Sequence, residues 1–305
     1  MSAEGSAKAV LAALAANLGI AAAKFAAFAV TGAGALAAEG VHSLADSGNQ
    51  VLLLVGGRRA RRAASEEHPF GYGRVRYVYA FIVSIVLFSL GGLFAIDEGW
   101  HKLVHPGRIS DPGWAIGVLM AAMVLEGLSL RTAVREAGPS RAGRGWVDFI
   151  RTAKAPELPV VLLEDVGALV GLVLALIGVV LSVLTGDGRF DAAGTLAIGL
   201  LLVVIAVVLA VEISSLLVGE GASPADVARI HHALVDAAEV ERVVHLRTLY
   251  VAPDQLLVAA KIAVRAEDSA ATVARVIDAA ESRVRIAVPA VGPIYLEPDI
   301  DRQQG

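Results

Sequence analysis

Cysteine does not occur in the 305-residue sequence, so disulfides and thiolate metal sites are both excluded. Charge is scarce as well. Asp, Glu, Lys and Arg make up 18% of the chain and hydrophobic residues 56%, against about 25% and about 45–50% in ordinary soluble domains. Aromatic residues are thin at 5% while glycine is plentiful at 31 residues, a balance that suits close helix packing in lipid. Together with a mean hydropathy of +0.66, this points to an integral membrane protein with a soluble part. The formal net charge of −4 decides little, because placement matters more than the sum. A cleavable signal peptide is not expected, since residues 1–8 carry Glu4 and no small-residue cleavage site follows. No long-period repeat is visible, nor any low-complexity tract beyond alanine richness.

A helix needs ~20 apolar residues to span a bilayer. Six stretches qualify: 10–31, 35–57, 77–103, 114–134, 158–184 and 192–218. Arg58, Arg59, Arg61 and Arg62 follow the second; Arg131, Arg135, Arg141, Arg144 and Arg151 end or follow the fourth. Loops after the first, third and fifth carry few positive charges. The positive-inside rule therefore predicts six spans with both termini in the cytoplasm. Because topology alone demands arginine there, these clusters read as lipid-headgroup contacts, and no nucleic-acid partner is expected.

The texture changes at the end of the sixth span, dividing the chain into a transmembrane domain, 1–220, and a soluble domain, 221–305. Ser223-Pro224 is a helix start, with Ser as cap and Pro just inside, and Ile230, Leu234 and Ala237-Ala238 continue an apolar face. Residues 243–251 and 256–264 read as a hairpin across Pro253-Asp254. Asp268-Ser269 caps a second helix, and 291–296 is a last strand. This αββαβ order predicts a small α+β layer, cytoplasmic by the same topology. The fold class is thus a polytopic α-helical membrane protein of six transmembrane helices plus a small α+β domain.

Few ionisable groups lie deep in the spans: Lys24, Glu39, His42, Asp46, Glu126, Glu164 and Asp165. Glu39, His42 and Asp46 stand at i, i+3, i+7 and share one helix face. A cluster at that depth is costly unless it faces a cavity, pairs, or binds an ion. Glu164-Asp165 sits between apolar runs with no arginine nearby in sequence, and two adjacent carboxylates do not both stay buried and ionised without a cation. His42 and Asp46 with Glu164 or Asp165 make an oxygen/nitrogen set that suits four-coordinate Zn2+. Cobalt, manganese, iron or cadmium can use the same ligands, since affinity order alone does not choose the ion. Bland readings stay open: His42 and Asp46 as an i, i+4 pair at a helix contact, and Glu164-Asp165 lining a wet vestibule. Glu126 fits a structural or a proton-relay role equally. Lys24 pairs with a carboxylate or snorkels. Asp97, Glu98, His101 and His105 read as a solvated rim, and His231, His232 and His245 as surface histidines.

With these features the chain resembles the cation diffusion facilitator family over roughly residues 8–299. The likeness is carried by His42-Ser43-Leu44-Ala45-Asp46-Ser47-Gly48-Asn49-Gln50 and His68-Pro69-Phe70-Gly71-Tyr72-Gly73-Arg74. It implies a homodimer that moves a divalent metal, usually zinc, out of the cytoplasm in exchange for protons by alternating access. Membrane lipid, metal and protons are then its partners, no prosthetic group or enzymatic activity is implied, and a bacterial plasma membrane is the expected location. The chain departs from the family at one place. The usual second ligand pair on the fifth span falls near Glu157 and Val161, and valine cannot ligate. The carboxylates Glu164 and Asp165 stand about one turn, ~5 Å, further along, as in a subgroup with this Leu-Leu-Glu-Asp variant. The expected site is therefore shifted outward: His42, Asp46, Glu164 or Asp165, and Glu39. The displaced ligands also fit a rival, a non-transporting metal receptor or assembly partner with a vestigial site.

Overall fold

The computed structural model describes residues 3–236 and 240–300, so Ala237-Ala238 lies outside the described residues. The long helices come first: α1 (Ala3–Thr31), α2 (Gly34–Ala60), α3 (Val75–Val86), α4 (Phe94–Val104), α5 (Pro112–Arg141), the short α6 (Trp146–Thr152), α7 (Glu157–Thr185) and α8 (Arg189–Val218). A π-helical segment, Leu87–Leu93, joins α3 to α4, so residues 75–104 form one continuous apolar rod. Among the described residues four rods are long and apolar enough to cross a membrane: 75–104, 112–139, 157–185 and 189–218. A shorter apolar helix, Asn17–Thr31, joins them. Leu200, Val204, Val207 and Val211 along α8 are exposed, an outward apolar stripe that lipid would cover.

Turn chemistry explains where the rods end. Gly32 between α1 and α2 and Gly186 after α7 have φ of +69° and +71°, a left-handed region that side chains avoid. Beyond Gly186, α7 and α8 pack through small residues: a Cβ on Gly194 would sit 3.1 Å from the Leu174 carbonyl oxygen and 3.4 Å from Gly178 Cα. Helix α5 runs to Arg141, well past the residue 134 that apolarity alone marks. The following loop contains α6, whose Phe149 is buried against Ala133, Ala137 and Leu162. Seven residues carry too little periodicity to declare such a helix in advance.

The structure divides into two compact units that are not contiguous in sequence. One takes the chain to residue 59 and then 75–214; the other takes 60–74 and the chain from 215. In the second unit, α9 (Pro224–Val235), β1 (Arg242–Ala252), β2 (Gln255–Val264), α10 (Ala270–Ala287) and β3 (Val291–Ile300) follow in order. Ser223 Oγ accepts from the Asp226 amide at 3.1 Å, and Ser269 Oγ from the Thr272 amide at 3.2 Å, so both helices start on a serine cap. Strands β1 and β2 form the antiparallel hairpin, and β3 returns parallel to β2. Strand β2 buries alternate residues, and Leu256, Val258 and Ala260 meet Ile230 and Leu234 of α9 and Ala280 and Val284 of α10. Across β2 and β3, Asp299 at 3.0 Å and Glu297 at 3.1 Å hold Lys261, raising its ammonium above the ordinary lysine value. Segment 60–74 belongs to this unit because Gly73 seats on β1: a Cβ there would lie 2.3 Å from Ala252 Cβ and 2.9 Å from the Val251 carbonyl oxygen.

Candidate functional site

Helix α2 is amphipathic in reverse. Glu39, His42, Ser43, Asp46, Ser47 and Asn49 are buried, while Leu44, Val51, Leu54 and Val55 are exposed. Polar groups facing protein and apolar groups facing outward is the arrangement that lets such a helix sit in lipid. The polar residues themselves lower the helix's mean hydropathy, and α2 is not among the strongly apolar rods.

The side chains on that buried face are taken up unequally. Lys24 of α1 donates to Glu39 Oε2 at 3.0 Å, to the Glu39 carbonyl oxygen at 3.4 Å and to Ser43 Oγ at 2.8 Å. Both members of this ion pair are fully buried. Of the two expected fates for Lys24, pairing is the one observed. Glu39 Oε1 accepts nothing and lies against α7, where a Cβ on Gly171 would be 2.5 Å from it. One turn further along α2, His42 Nε2 stands 3.4 Å from Asp46 Oδ2. Neither ring nitrogen of His42 makes a hydrogen bond, and neither does Asp46 Oδ1. The π-helical segment passes here, a Cβ on Gly91 falling 4.0 Å from His42 Nδ1. Local π geometry of this kind recurs at functional sites.

Helix α7 deals its adjacent carboxylates to different neighbours. Successive residues are about 100° apart around a helix. Glu164, 5% exposed, faces α2, where Asn49 Nδ2 donates to its Oε1 at 2.6 Å. Asp165 faces α5, its Oδ2 accepting from Ser129 Oγ at 3.1 Å, with Glu126 of the same helix an electrostatic neighbour. Asp46 is an electrostatic neighbour of both α7 carboxylates. Among the described residues no three His, Asp or Glu side chains are gathered closely enough to hold a metal ion together. The polar groups stand instead as two separate sets, His42–Asp46 on α2 and Glu164 on α7, with Asn49 of α2 bonded to the second. Glu157, at the start of α7, accepts instead from Arg76 Nε at 2.5 Å.

Three partners escaped the sequence reading. Asn49 is three residues after Asp46, on the same helical face, and that spacing was the available signal. Ser129 has no comparable signature. Asp191 of α8 caps α2 from outside its own helix, accepting from the Gly34 amide at 2.7 Å and the Ala35 amide at 3.4 Å. Lys102 lies 3.9 Å from the same carboxylate and 3.8 Å from Glu98. The His101 and His105 rings at the end of α4 are exposed, with centroids 5.2 Å apart. His231, His232 and His245 are exposed as well.

A bundle of apolar helices enclosing ionisable groups, joined to a small α+β layer, defines a polytopic α-helical membrane protein. Residues 10–218 match the "Cation efflux transmembrane domain" family, and the chain belongs to that family, the cation diffusion facilitators. It is 31% identical over 224 residues to the mitochondrial proton-coupled zinc antiporter of Xenopus laevis, covering 73% of this chain and 40% of that protein. A metal tolerance protein of Arabidopsis thaliana is 29% identical over 227 residues, covering 74% and 50%. The chain thus spans half or less of the length of these relatives. The C-terminal domain of MamM in a nickel form aligns with 26% of this chain and 100% of its own, at 20% identity and a TM-score of 0.25.

Proposed function

We propose that this protein is a divalent-cation efflux transporter that carries Zn2+ in exchange for protons by alternating access. One observation carries the reading. Ligand-type atoms without a hydrogen-bond partner, the His42 ring nitrogens and Asp46 Oδ1, are buried, with Glu164 of a neighbouring helix an electrostatic neighbour of Asp46. In a lipid-embedded bundle such groups are expensive without an ion to take them. The names of the frog and plant relatives, a proton-coupled zinc antiporter and a metal tolerance protein, support the same cargo class. Co2+, Mn2+, Fe2+ and Cd2+ are the competing cargoes.

His42, Asp46 and Glu164 are the proposed ligands, with Asp165 as the alternative carboxylate. Glu39 serves as the counter-ion of Lys24 through Oε2 and, through the Oε1 that accepts nothing, is the further ligand candidate. A ligating imidazole must be neutral and a ligating carboxylate ionised, so the dication displaces protons on arrival and they return when it leaves. At least one proton is exchanged per metal ion. The two sets close on the ion in one state and part in another. The arginine-bearing helix ends and both termini face the cytoplasm of a bacterial plasma membrane, with six spans in residues 1–220. The domain from 221 onward pairs two copies into a homodimer.

Uptake of labelled Zn2+ into proteoliposomes, compared across the five metals, tests the reading. Glu164→Ala or Asp165→Ala should abolish transport, and full activity in both overturns the site. Metal-driven proton movement that is identical in wild type and His42→Ala overturns the coupling. The two-part arrangement also fits a non-transporting metal receptor, in which case wild type binds Zn2+ but leaves the vesicle interior empty.

A further inference from the structure

Asn49 has an amide with two chemically different ends, and the structure uses only one of them. Its Nδ2 donates to Glu164 Oε1 at 2.6 Å across the α2–α7 contact. Its Oδ1 is buried and accepts nothing, although the residue is fully enclosed. An orphaned buried carbonyl of this kind costs free energy comparable to a lost hydrogen bond. In α2 the side chain stands at i+7 from His42 and i+3 from Asp46, on the ligand face. Among the described residues the hydrogen bond that Glu164 accepts is this one, on Oε1, which leaves its second oxygen for other use.

From this we infer that Asn49 positions Glu164 for the ion and presents its own Oδ1 to the ion as a neutral oxygen ligand. The inference rests on the proposed metal site and adds a residue to it. The two roles are tied by geometry. Oδ1 and Nδ2 share one carbon, so pinning Nδ2 on Glu164 fixes where Oδ1 points. A carboxylate held by an amide donor keeps one oxygen occupied and turns the other toward the cation. Hydrogen-bond partners of this type fix ligand orientation at metal sites, and their loss typically costs about 10–100-fold in metal affinity. The neutral amide also supplies an oxygen without adding a further negative charge beside Asp46 and Glu164.

The full-length protein, purified and reconstituted, provides the test, with Zn2+ binding measured by calorimetry in detergent and Zn2+ uptake measured in proteoliposomes. Asn49→Ala should weaken Zn2+ binding about 10–100-fold and raise KM while largely sparing the maximal rate. Asn49→Asp, of the same shape and therefore the safer variant for folding, should be at least as damaging, because it sets acceptor against acceptor. The paired change Asn49→Asp with Glu164→Gln reverses donor and acceptor while keeping the total charge. It should recover at least tenfold of the affinity lost in Asn49→Asp alone. Wild-type KM and affinity in Asn49→Ala and Asn49→Asp, with Asp46→Ala inactive, would refute the role of Asn49 and leave the site standing. No recovery in the paired change also refutes it. Wild-type transport by Asp46→Ala overturns the site itself.

Discussion

Lys24→Met offers the sharpest test of how the buried face of α2 is balanced. The ammonium donates at 3.0 Å to Glu39 Oε2 and at 2.8 Å to Ser43 Oγ, and neither charged partner is exposed to any measurable degree. Methionine keeps the length and apolar stem of the side chain, so packing changes little. What changes is that Glu39 is left buried without its counter-charge, with both carboxylate oxygens unpaired rather than Oε1 alone. Removing one partner of a buried ion pair costs about 3–5 kcal/mol, whereas replacing both by apolar or neutral groups is often close to neutral. At about 2–4 °C per kcal/mol for a protein of this size class, the apparent melting midpoint should fall by roughly 6–20 °C. Lys24→Met with Glu39→Gln should regain most of that loss. The measurement is a thermal melt in detergent on the wild type, the two single variants and the double variant. Additive effects, with no recovery in the double, would refute the pairing argument. Zn2+ uptake on the same four proteins then separates counter-ion from ligand. A stable double variant that still transports shows that Glu39 is dispensable for coordination, and one that has lost Zn2+ binding places Glu39 in the coordination sphere.

Asp191→Ala removes the acceptor that serves the Gly34 and Ala35 amides, a capping loss of about 0.5–2 kcal/mol, read as a lower melting midpoint; Asp191→Asn, which still accepts, should lose less. Gly73→Val has no room against Val251 and Ala252, so segment 60–74 should detach from β1, seen as faster limited proteolysis within it. Unchanged cleavage would count against its seating. Gly171→Ala drives a methyl to 2.5 Å from Glu39 Oε1, so the Glu39 carboxylate must swing against its bond to Lys24 and Zn2+ uptake should fall. Ser223→Ala loses the cap of α9, about 1 kcal/mol, without any change in Zn2+ affinity.

Much of this was legible from pattern, and the exceptions have physical causes. The serine caps, the hairpin across Pro253-Asp254 and the apolar rods are local features, written in residues that neighbour one another. Helix α2 was legible as a span of residues 35–57, but which of its faces is buried follows from the polar residues it turns inward. The seating of Gly73 and the capping of α2 by Asp191 join residues far apart in the chain, so nothing local announces them. Which of Glu164 and Asp165 faces α2 is different, for that direction was open in the sequence yet decidable there. Helix α7 buries Gly167, Ala168, Gly171, Ala175 and Gly178, a stripe of small residues repeating at three and four, the spacing by which lipid-embedded helices approach closely. Glu164 lies three residues before Gly167 and seven before Gly171, in register with the stripe, whereas Asp165 lies about 100° off it. A side chain in register with the close-packing stripe must face the neighbouring helices, so the stripe itself turns Glu164 to α2 and leaves Asp165 to α5.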